Sequence, residues 1–261
     1  MSHVATLAKL YMDLLERTLL GVVYEDPPID QWSGGVFDAK RRAQGRDWPA
    51  KAHTMIGFER LRNLRELVSH VVGDQIPGDF VETGVWRGGA CIYMRALLKV
   101  FGVTDRTVWA ADSFEGLPRP DAQRYPGQDV GDQHHTYSAL AVSLEQVQEN
   151  FRKYDLLDDQ VRFLKGWFKD TLPAAPIERI AILRLDGDMY ASTMDALRAL
   201  GHKVSVGGFI IVDDFGAVAG CRQAIADYRR EQGIESPIHD IDGIGAYWRV
   251  EAPRGQAPAT A

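Results

Sequence analysis

Carboxylates cluster at two places in the second half of the chain. Asp186 and Asp188 follow one apolar run, and Asp213 and Asp214 follow the next. If both runs are strands of one parallel sheet, the carboxylates converge at the edge where open α/β sheets bind ligands. Close anions are costly, and a hard divalent cation such as Mg²⁺ compensates them through oxygen ligands. We therefore predict a metal site at Asp186, Asp213 and Asp214, with solvated turn aspartates as the alternative.

A glycine-rich turn follows an earlier apolar run. Residues 82–89 read Glu-Thr-Gly-Val-Trp-Arg-Gly-Gly, and a helical pattern comes directly after them. The glycines permit a sharp turn and a close approach of the backbone to a ligand. Glu82 suits an ammonium group such as that of S-adenosylmethionine, whereas it would repel the pyrophosphate of NAD. The motif favours S-adenosylmethionine, and a purely structural turn is the alternative.

A second acidic strand end, Asp112, is followed by Ser-Phe-Glu-Gly. A carboxylate at that position is placed to accept both ribose hydroxyls of an adenosine ligand. The alternative is that Asp112 only caps the turn that follows it. The expected position of Asp112 beside Glu82 in the sheet favours binding.

Asp188 has a separate expected task. A hydroxyl acceptor is a poor nucleophile until its proton is withdrawn, and metal coordination lowers the pKa of that hydroxyl. A nearby carboxylate then completes the deprotonation, so we predict Asp188 as the general base. The competing bases are histidines in loops or near helix ends, namely His53, His134, His135 and His202.

Hydrophobic periodicity supplies the elements that must position these residues. An amphipathic helix over Val4–Leu20 and a helix over Gly57–Val72 flank a long loop, 21–49. Strands are predicted at 79–83, 107–111, 161–164, 180–185, 208–212, 237–241 and 246–250. Helices between them are predicted at 89–101, 140–154, 192–200 and 221–232. This alternation predicts an α/β fold with a mostly parallel, doubly wound sheet and a terminal antiparallel hairpin.

The chain of 261 residues suits one large domain with extensions. We predict N-terminal helices and a lid in residues 1–77, the catalytic core in 78–251 and a disordered tail in 252–261. The amphipathic first helix and the aromatic segment through Trp48 offer apolar surface, which predicts a homo-oligomer. The basic residues Lys40, Arg41, Arg42 and Arg46 are interpreted as a solvated helix face, with a loop that touches a substrate as the alternative.

Composition excludes several classes of protein. A net charge of −6 argues against nucleic-acid binding, which requires a basic face. Charged residues interrupt the N-terminal apolar pattern, and no apolar run reaches membrane-spanning length, so neither secretion nor a membrane partner is expected. Cys91 and Cys221 lack metal-ligand spacing and are expected to be reduced, buried thiols in a cytoplasmic protein.

Taken together, these residues resemble the macrocin O-methyltransferase family, which methylates deoxysugars of macrolide and aminocoumarin antibiotics. The resemblance covers nearly the whole chain. It is carried by residues 53–57, 82–91, 108–114, 156–171, 185–190, 207–214 and 247–248. It implies the Rossmann-like fold of class I methyltransferases, with a seven-stranded sheet and an N-terminal helical extension.

The resemblance also implies roles for individual residues. It places the metal on Asp186, Asp213 and Asp214 and the base at Asp188. The implied contacts to S-adenosylmethionine are Thr54, Met55, Glu82, Thr83, Gly84, Asp112, Ser113 and Phe168. We assign Trp86, in the same glycine turn, as a further cofactor contact. The variable stretches 117–138 and 25–48 are expected to determine which acceptor is bound.

We therefore expect an S-adenosylmethionine- and Mg²⁺-dependent O-methyltransferase that acts on a sugar hydroxyl of a glycosylated secondary metabolite. A catechol-type methyltransferase is the alternative among enzymes, because two vicinal hydroxyls can chelate the same ion. A noncatalytic small-molecule-binding protein that retains the fold is the alternative outside enzymes.

Overall fold

The computed structural model describes residues 3–252, and its centre is a sheet of seven strands in the order β3-β2-β1-β4-β5-β7-β6. The strands are β1 (Asp79–Thr83), β2 (Val108–Asp112), β3 (Val161–Lys165), β4 (Ile180–Leu185), β5 (Val204–Val212), β6 (His239–Asp240) and β7 (Ala246–Arg249). The first five run parallel, whereas β7 pairs antiparallel with both β5 and β6. The predicted sheet and hairpin are confirmed. The tail predicted over 252–261 lies, from residue 253 onward, outside the described residues.

Eight α-helices surround the sheet within the described chain. They are α1 (His3–Leu19), α2 (Ala39–Ala43), α3 (Gly57–Gly73), α4 (Gly89–Phe101), α5 (Leu144–Lys153), α6 (Phe168–Thr171), α7 (Tyr190–Leu200) and α8 (Ala219–Gln232). None of the helices in residues 3–252 combines the length and apolarity needed to cross a bilayer. The predicted helix at 140–154 begins only at Leu144, because the Ser143 hydroxyl caps it by accepting the Gln146 N–H at 3.3 Å.

Helices cover both faces of the sheet. Residues of α1, α3, α4 and α5 form one hydrophobic cluster with Phe80 and Ile182, and residues of α7 and α8 form another with Val81 and Leu183. Successive side chains of a strand point to opposite faces, which explains this division. Glu82 and Arg184 lie two residues beyond Phe80 and Ile182, so their side chains point to the same face of the sheet as the first cluster.

The strand order reverses between β1 and β4, which opens the crevice where ligands bind in this kind of sheet. Backbone hydrogen bonds continue one residue beyond the strand ends. Gly84 donates to Ala111 O at 2.9 Å, Asp186 donates to Thr83 O at 2.9 Å, and Asp213 donates to Leu185 O at 2.8 Å. These bonds hold the first residues of three loops side by side at the edge of the crevice.

The interpretation of Lys40, Arg41, Arg42 and Arg46 as a solvated face is wrong for Arg42. Its side chain is fully buried, and it donates to Asp47 Oδ1 at 2.6 Å and to the carbonyls of Leu20 and Asp26 at 2.8 Å each. A buried guanidinium with several acceptors is a strong organiser of backbone. Arg42 thus holds the loop between α1 and α3 against the first helix.

Candidate active site

Three carboxylates meet where β4 and β5 end. Oxygens of Asp186, Asp213 and Asp214 lie within 4.8 Å of one another, and Asp213 and Asp214 expose only 5% and 9% of their surface. Mg²⁺ binds oxygens at about 2.1 Å, so opposite ligands of one ion are about 4 Å apart. The predicted convergence of these side chains is therefore present, with a spacing and donor chemistry that fit Mg²⁺.

A buried guanidinium that the sequence analysis did not single out lies beneath this cluster. Arg184 Nη1 donates to Glu82 Oε1 and to Asp186 Oδ2, the latter at 2.6 Å, and Nη2 donates to Asp213 Oδ1. Glu82 and Arg184 are register partners on β1 and β4, so cross-strand pairing creates the first contact. Arg184 links the strand end expected to bind cofactor with the strand ends expected to bind metal.

A second guanidinium reaches the cluster from α3. Arg60 donates through Nη1 to Asp213 Oδ2 and through Nε to Asp242 Oδ2 at 3.1 Å. Arg60 and Arg184 together supply two positive charges. They face six carboxylates, because Asp242 joins those of Glu82, Asp186, Asp188, Asp213 and Asp214. The site therefore has an excess of negative charge that suits a divalent cation together with a cationic ligand.

Burial and the charges of this cluster raise the pKa values of its aspartates. Burial, reinforced by neighbouring carboxylates, raises the pKa of Asp186 and of Asp214 well above the ordinary aspartate value. Burial raises the pKa of Asp188 to about 6, while His134 opposes that rise. These shifts reflect the cost of ionising close carboxylates in a confined space. A cation bound among them would remove much of that cost.

Asp188 lies at the turn that leads into α7. Its backbone has a φ of 55°, in the left-handed region, and its N–H donates to Asp214 Oδ2 at 3.2 Å. A non-glycine residue in this conformation persists where the surroundings enforce it. The bond to Asp214 therefore fixes the predicted base relative to a predicted metal ligand.

A cavity of about 810 Å³ opens over these strand ends, a volume suited to a cofactor and part of an acceptor. All four predicted metal and base aspartates line it. So do eight of the nine predicted cofactor contacts, namely Thr54, Met55, Glu82, Gly84, Trp86, Asp112, Ser113 and Phe168. The prediction of one ligand site shared by the ends of β1, β2, β4 and β5 thus has a matching cavity.

Thr83 is the exception and does not line the cavity. It follows Glu82 on β1, so its side chain points to the opposite face of the sheet. Its backbone is also engaged, because Thr83 O accepts the Asp186 N–H at 2.9 Å. Thr83 therefore aligns β1 with the end of β4, and its cofactor contact stays a prediction.

Gly84 is required by the approach of two loops. Its φ is 87°, and a Cβ atom built on it would overlap the carbonyl oxygen of Asp186. Glycine is the residue that meets both conditions. Gly84 consequently lets the loop after β1 and the loop after β4 pack in direct contact.

Asp112 performs the turn-capping role that was the alternative interpretation. Its Oδ2 accepts the Val85 N–H and its Oδ1 accepts the Phe114 N–H, both at 2.7 Å. Burial raises the pKa of Asp112, and these backbone bonds oppose the rise. Asp112 cross-links the loops after β1 and β2 and still lines the cavity. Oδ1 also accepts from the Ser113 hydroxyl at 3.4 Å, so Oδ2 is the oxygen with a lone pair for a ribose hydroxyl.

Glu82 is more enclosed than the sequence suggested. It accepts from Arg184 and from the Cys91 thiol, whose Sγ lies 2.8 Å from Oε2. Burial raises the pKa of Glu82, with Arg184 opposing the rise. The expected free, buried thiols are confirmed for Cys91 and Cys221. A ligand ammonium would therefore share Glu82 with an internal guanidinium.

The segment with Thr54 and Met55 is fastened to the start of α4. His53 O accepts the Gly89 N–H at 3.0 Å, and Thr54 N–H donates to Leu19 O at 3.2 Å. His53 Nδ1 lies 2.6 Å from the hydroxyl oxygen of Tyr154. Burial, with Lys153 and Arg87 nearby, lowers the pKa of His53 to about 4. His53 therefore remains neutral at neutral pH and anchors one wall of the cavity.

The variable stretch after β2 docks on α7. Asp129 Oδ1 accepts the Tyr190 N–H at 2.8 Å, and its Oδ2 accepts the Ala191 N–H at 3.0 Å. Arg124 and Tyr125 both donate to Asp195 on the same helix, with Arg124 Nη2 and Tyr125 Oη each 2.6 Å from Oδ1. The cap by Asp129 satisfies free N–H groups and suits the helix dipole. The stretch thus forms a fixed wall of the cavity.

The strand order and the strand-end acidic residues define a class I S-adenosylmethionine-dependent methyltransferase. The family model for macrocin O-methyltransferase (TylF) matches residues 17–250, and the chain belongs to this family. A Streptomyces olivaceus relative, 8-demethyl-8-(2,3-dimethoxy-alpha-L-rhamnosyl)-tetracenomycin-C 4'-O-methyltransferase, is 52% identical over 96% of this chain and 97% of its own. The demethyldecarbamoylnovobiocin O-methyltransferase of Streptomyces niveus is 52% identical over 93% and 94%.

A solved structure supports the same assignment. The O-methyltransferase NovP superposes with a TM-score of 0.89 at 52% identity, covering 94% of this chain and 100% of that one. The calicheamicin methyltransferase CalS11 shares the fold at a TM-score of 0.58 and 21% identity, over 73% and 78% of the two chains. The expected S-adenosylmethionine-dependent O-methyltransferase is confirmed, and the noncatalytic alternative is set aside.

Proposed function

We propose that this enzyme methylates a sugar hydroxyl of a glycosylated secondary metabolite, with Mg²⁺ as a second cofactor. The observation that carries the proposal is the junction of the acidic cluster Asp186, Asp213 and Asp214 with the cofactor wall in one cavity. The names of relatives support the acceptor class. One is named for a rhamnosyl-tetracenomycin, and a 48% identical Micromonospora griseorubida relative is named mycinamicin III 3''-O-methyltransferase.

When bound, S-adenosylmethionine supplies an electrophilic methyl group and Mg²⁺ supplies a Lewis acid that lowers the pKa of a hydroxyl. Asp186, Asp213 and Asp214 would hold the ion, and Asp112 would accept from the ribose through Oδ2. Glu82 would accept the ligand ammonium. Phe168 lies over the loop after β4, where a Cβ on Gly187 would be 3.2 Å from its ring, and it offers a flat face for adenine.

Asp188 acts as the base in this proposal. It lies at the start of α7, tied to Asp214 through its backbone, and it lines the cavity. A carboxylate with a pKa near neutrality accepts a proton efficiently from a hydroxyl whose own pKa is lowered. The protein holds the acceptor oxygen, the base and the methyl donor in one geometry, which removes most of the entropic barrier.

The test separates metal binding from proton transfer. Asp186→Ala should weaken Mg²⁺ binding and recover part of its activity as the Mg²⁺ concentration rises. Asp188→Ala should keep S-adenosylmethionine affinity and lose about 10²–10⁴-fold in turnover at every Mg²⁺ concentration. Asp159→Ala, at an exposed position, is the matched control. Wild-type activity that survives chelation, or full turnover by Asp188→Ala, would refute the mechanism.

Acceptor profiling tests the substrate class independently. The proposal expects turnover of a rhamnosylated tetracenomycin or another deoxysugar glycoside, with simple catechols as poor substrates. Rapid methylation of catechols without turnover of glycosides would instead identify a catechol-type enzyme. Methyl transfer to either acceptor would leave the family assignment unchanged.

The outer face of α1 supports a homo-oligomer as a further part of the proposal. Val4, Leu7, Tyr11 and Leu14 recur at alternating spacings of three and four residues and expose 75%, 52%, 43% and 58% of their surface. Such a stripe suits a helix of a second copy of the chain. Leu7→Glu combined with Leu14→Glu should convert the oligomer to a monomer in sedimentation, and a monomeric wild type would contradict the idea.

The two free thiols also support a cytoplasmic location, where cysteines stay reduced.

A further inference from the structure

Asp132 and His134 form a hydrogen-bonded pair in the stretch that covers the cavity. His134 Nδ1 lies 2.7 Å from Asp132 Oδ2, and the His134 backbone N–H donates to Asp132 Oδ1 at 2.9 Å. An ionised carboxylate only accepts hydrogen bonds, so Nδ1 carries the proton of the neutral ring. The other ring nitrogen, Nε2, is then a hydrogen-bond acceptor.

Aromatic neighbours keep the His134 ring in place. Its centroid lies 6.0 Å from that of Tyr137 at an interplanar angle of 79°, and Tyr137 contacts Trp48 edge to face at 5.6 Å. Trp48 in turn contacts Trp32 at 5.2 Å. These contacts join the two variable stretches of the sequence into one aromatic wall. Edge-to-face packing of this kind restricts ring orientation.

The pair lies at the acceptor end of the cavity. His134 lines the cavity together with Asp188, and the Asp132 carboxylate that holds the His134 ring is close enough to Asp188 to contribute to the raised pKa of Asp188. The structure, over residues 3–252, gives Nε2 no hydrogen-bond partner, whereas Nδ1 is engaged by Asp132. His134 Nε2 is therefore an oriented hydrogen-bond acceptor at the cavity wall that a ligand hydroxyl could satisfy.

We propose that His134 Nε2 accepts a hydrogen bond from a hydroxyl of the acceptor sugar other than the hydroxyl that is methylated. The proposal rests on the sugar-acceptor function proposed above and adds a specificity-determining contact to it. A 6-deoxysugar with three free ring hydroxyls offers a donor outside the vicinal pair that would bind the metal, whereas a simple catechol has no third hydroxyl. Sites built to bind a substrate hydroxyl discriminate strongly against molecules that lack it. Asp132 acts as a positioning residue that fixes the ring tautomer.

The direct test is ¹⁵N NMR of histidine-labelled enzyme saturated with S-adenosylhomocysteine and Mg²⁺. We expect His134 to be protonated on Nδ1, and the Nε2 resonance to shift when methyl α-L-rhamnopyranoside is added. The fully O-methylated rhamnoside should leave Nε2 unshifted. An Nε2-protonated ring would overturn the proposal, as would rhamnoside that shifts the Trp48 indole signal but not Nε2. Rhamnoside that shifts neither signal would overturn the sugar-acceptor function as well.

Kinetics supply a second, independent readout. His134→Ala should lower kcat/KM for a glycoside acceptor about 10–10²-fold, mainly through KM, without changing the S-adenosylmethionine Kd. Asp132→Asn should cause a similar loss although the imidazole remains, because the amide can donate to Nδ1 and reverse the tautomer. The double variant should be no worse than either single one. His202→Ala, at an exposed position, is the control. Equal losses with catechol and glycoside, or wild-type KM in Asp132→Asn, would overturn the proposal.

Discussion

Acidification should destabilise the fold through His53. Burial and the nearby cations Lys153 and Arg87 lower the pKa of His53 from 6.5 to about 4. The unfolded chain therefore takes up this proton at a higher pH than the folded chain does. The contribution of His53 to stability is complete above the unfolded pKa and is lost as the pH falls from 6.5 through about 4.

The magnitude follows from the two pKa values. Each pH unit between them corresponds to about 1.4 kcal/mol, so the full effect is about 3 kcal/mol. For a protein of this size, that loss lowers the melting temperature by roughly 6–12 °C. The protonated ring would also strain its contact with Tyr154 and loosen the backbone that holds Thr54 and Met55. Affinity for S-adenosylmethionine should decline over the same pH range.

The assay is the free energy of unfolding by denaturant at pH 7 and at pH 4, for the wild type and for His53→Gln. Glutamine retains a hydrogen-bond acceptor for the Tyr154 hydroxyl but does not titrate. Other groups contribute equally to both proteins, so the difference between the two pH dependences isolates His53. His202→Gln, at an exposed site, should behave as the wild type does. Equal losses of free energy in the wild type and His53→Gln would refute the reasoning.

Three further substitutions probe the frame of the site. Gly84→Ala should abolish both cofactor and Mg²⁺ binding in calorimetry, because its Cβ overlaps the Asp186 carbonyl; retention of either affinity would contradict the packing. Asp129→Ala should cost about 0.5–2 kcal/mol in denaturant unfolding and raise the acceptor KM, since it removes the α7 cap. An unchanged acceptor KM would show that Asp129 contributes to stability but not to acceptor binding. Arg184→Met should cost about 3–5 kcal/mol, and Mg²⁺ should raise its melting temperature more than that of the wild type. If Mg²⁺ raised both melting temperatures equally, the idea that Arg184 and Mg²⁺ neutralise the same carboxylates would be contradicted.

The sequence was sufficient to predict which strand ends carry the acidic residues. Asp186 and Asp213 each follow an apolar run, and parallel strands end at one edge, so their convergence follows from alternation alone. The same period of two places the Thr83 side chain on the face of the sheet opposite to that of Glu82. The cofactor contact assigned to Thr83 rested on the family resemblance and not on this geometric signal.

The internal cations were harder to predict. Arg184 stands inside an apolar strand, which is a visible signal, but its contacts depend on β1 lying beside β4 in a particular register. Arg42 looked like one member of a basic surface cluster, yet it is the member enclosed by Asp47 and two carbonyls. Periodicity reports which face of an element is apolar. It does not report which charged residue the rest of the chain surrounds.

The cavity wall formed by the stretch after β2 could not be predicted for a different reason. The stretch with Asp129, Asp132 and His134 has no helical or strand period, so local pattern rules do not apply to it. Its shape depends on single polar contacts over long sequence distances, such as Asp129 with the N-terminus of α7. Tertiary contacts of this kind become visible only once the sheet has fixed the position of α7.

The charges of the site connect folding with catalysis. Arg184 and Arg60 approach the acidic cluster from inside the fold, whereas the unbalanced carboxylates face the cavity. The two internal cations make burial of the cluster tolerable, because each carboxylate they contact avoids part of its desolvation cost. Within residues 3–252 neither Asp188 nor Asp214 accepts a hydrogen bond from a guanidinium, and burial raises the pKa of both. The remaining carboxylates are therefore concentrated at the positions proposed to bind the cation and to accept the proton.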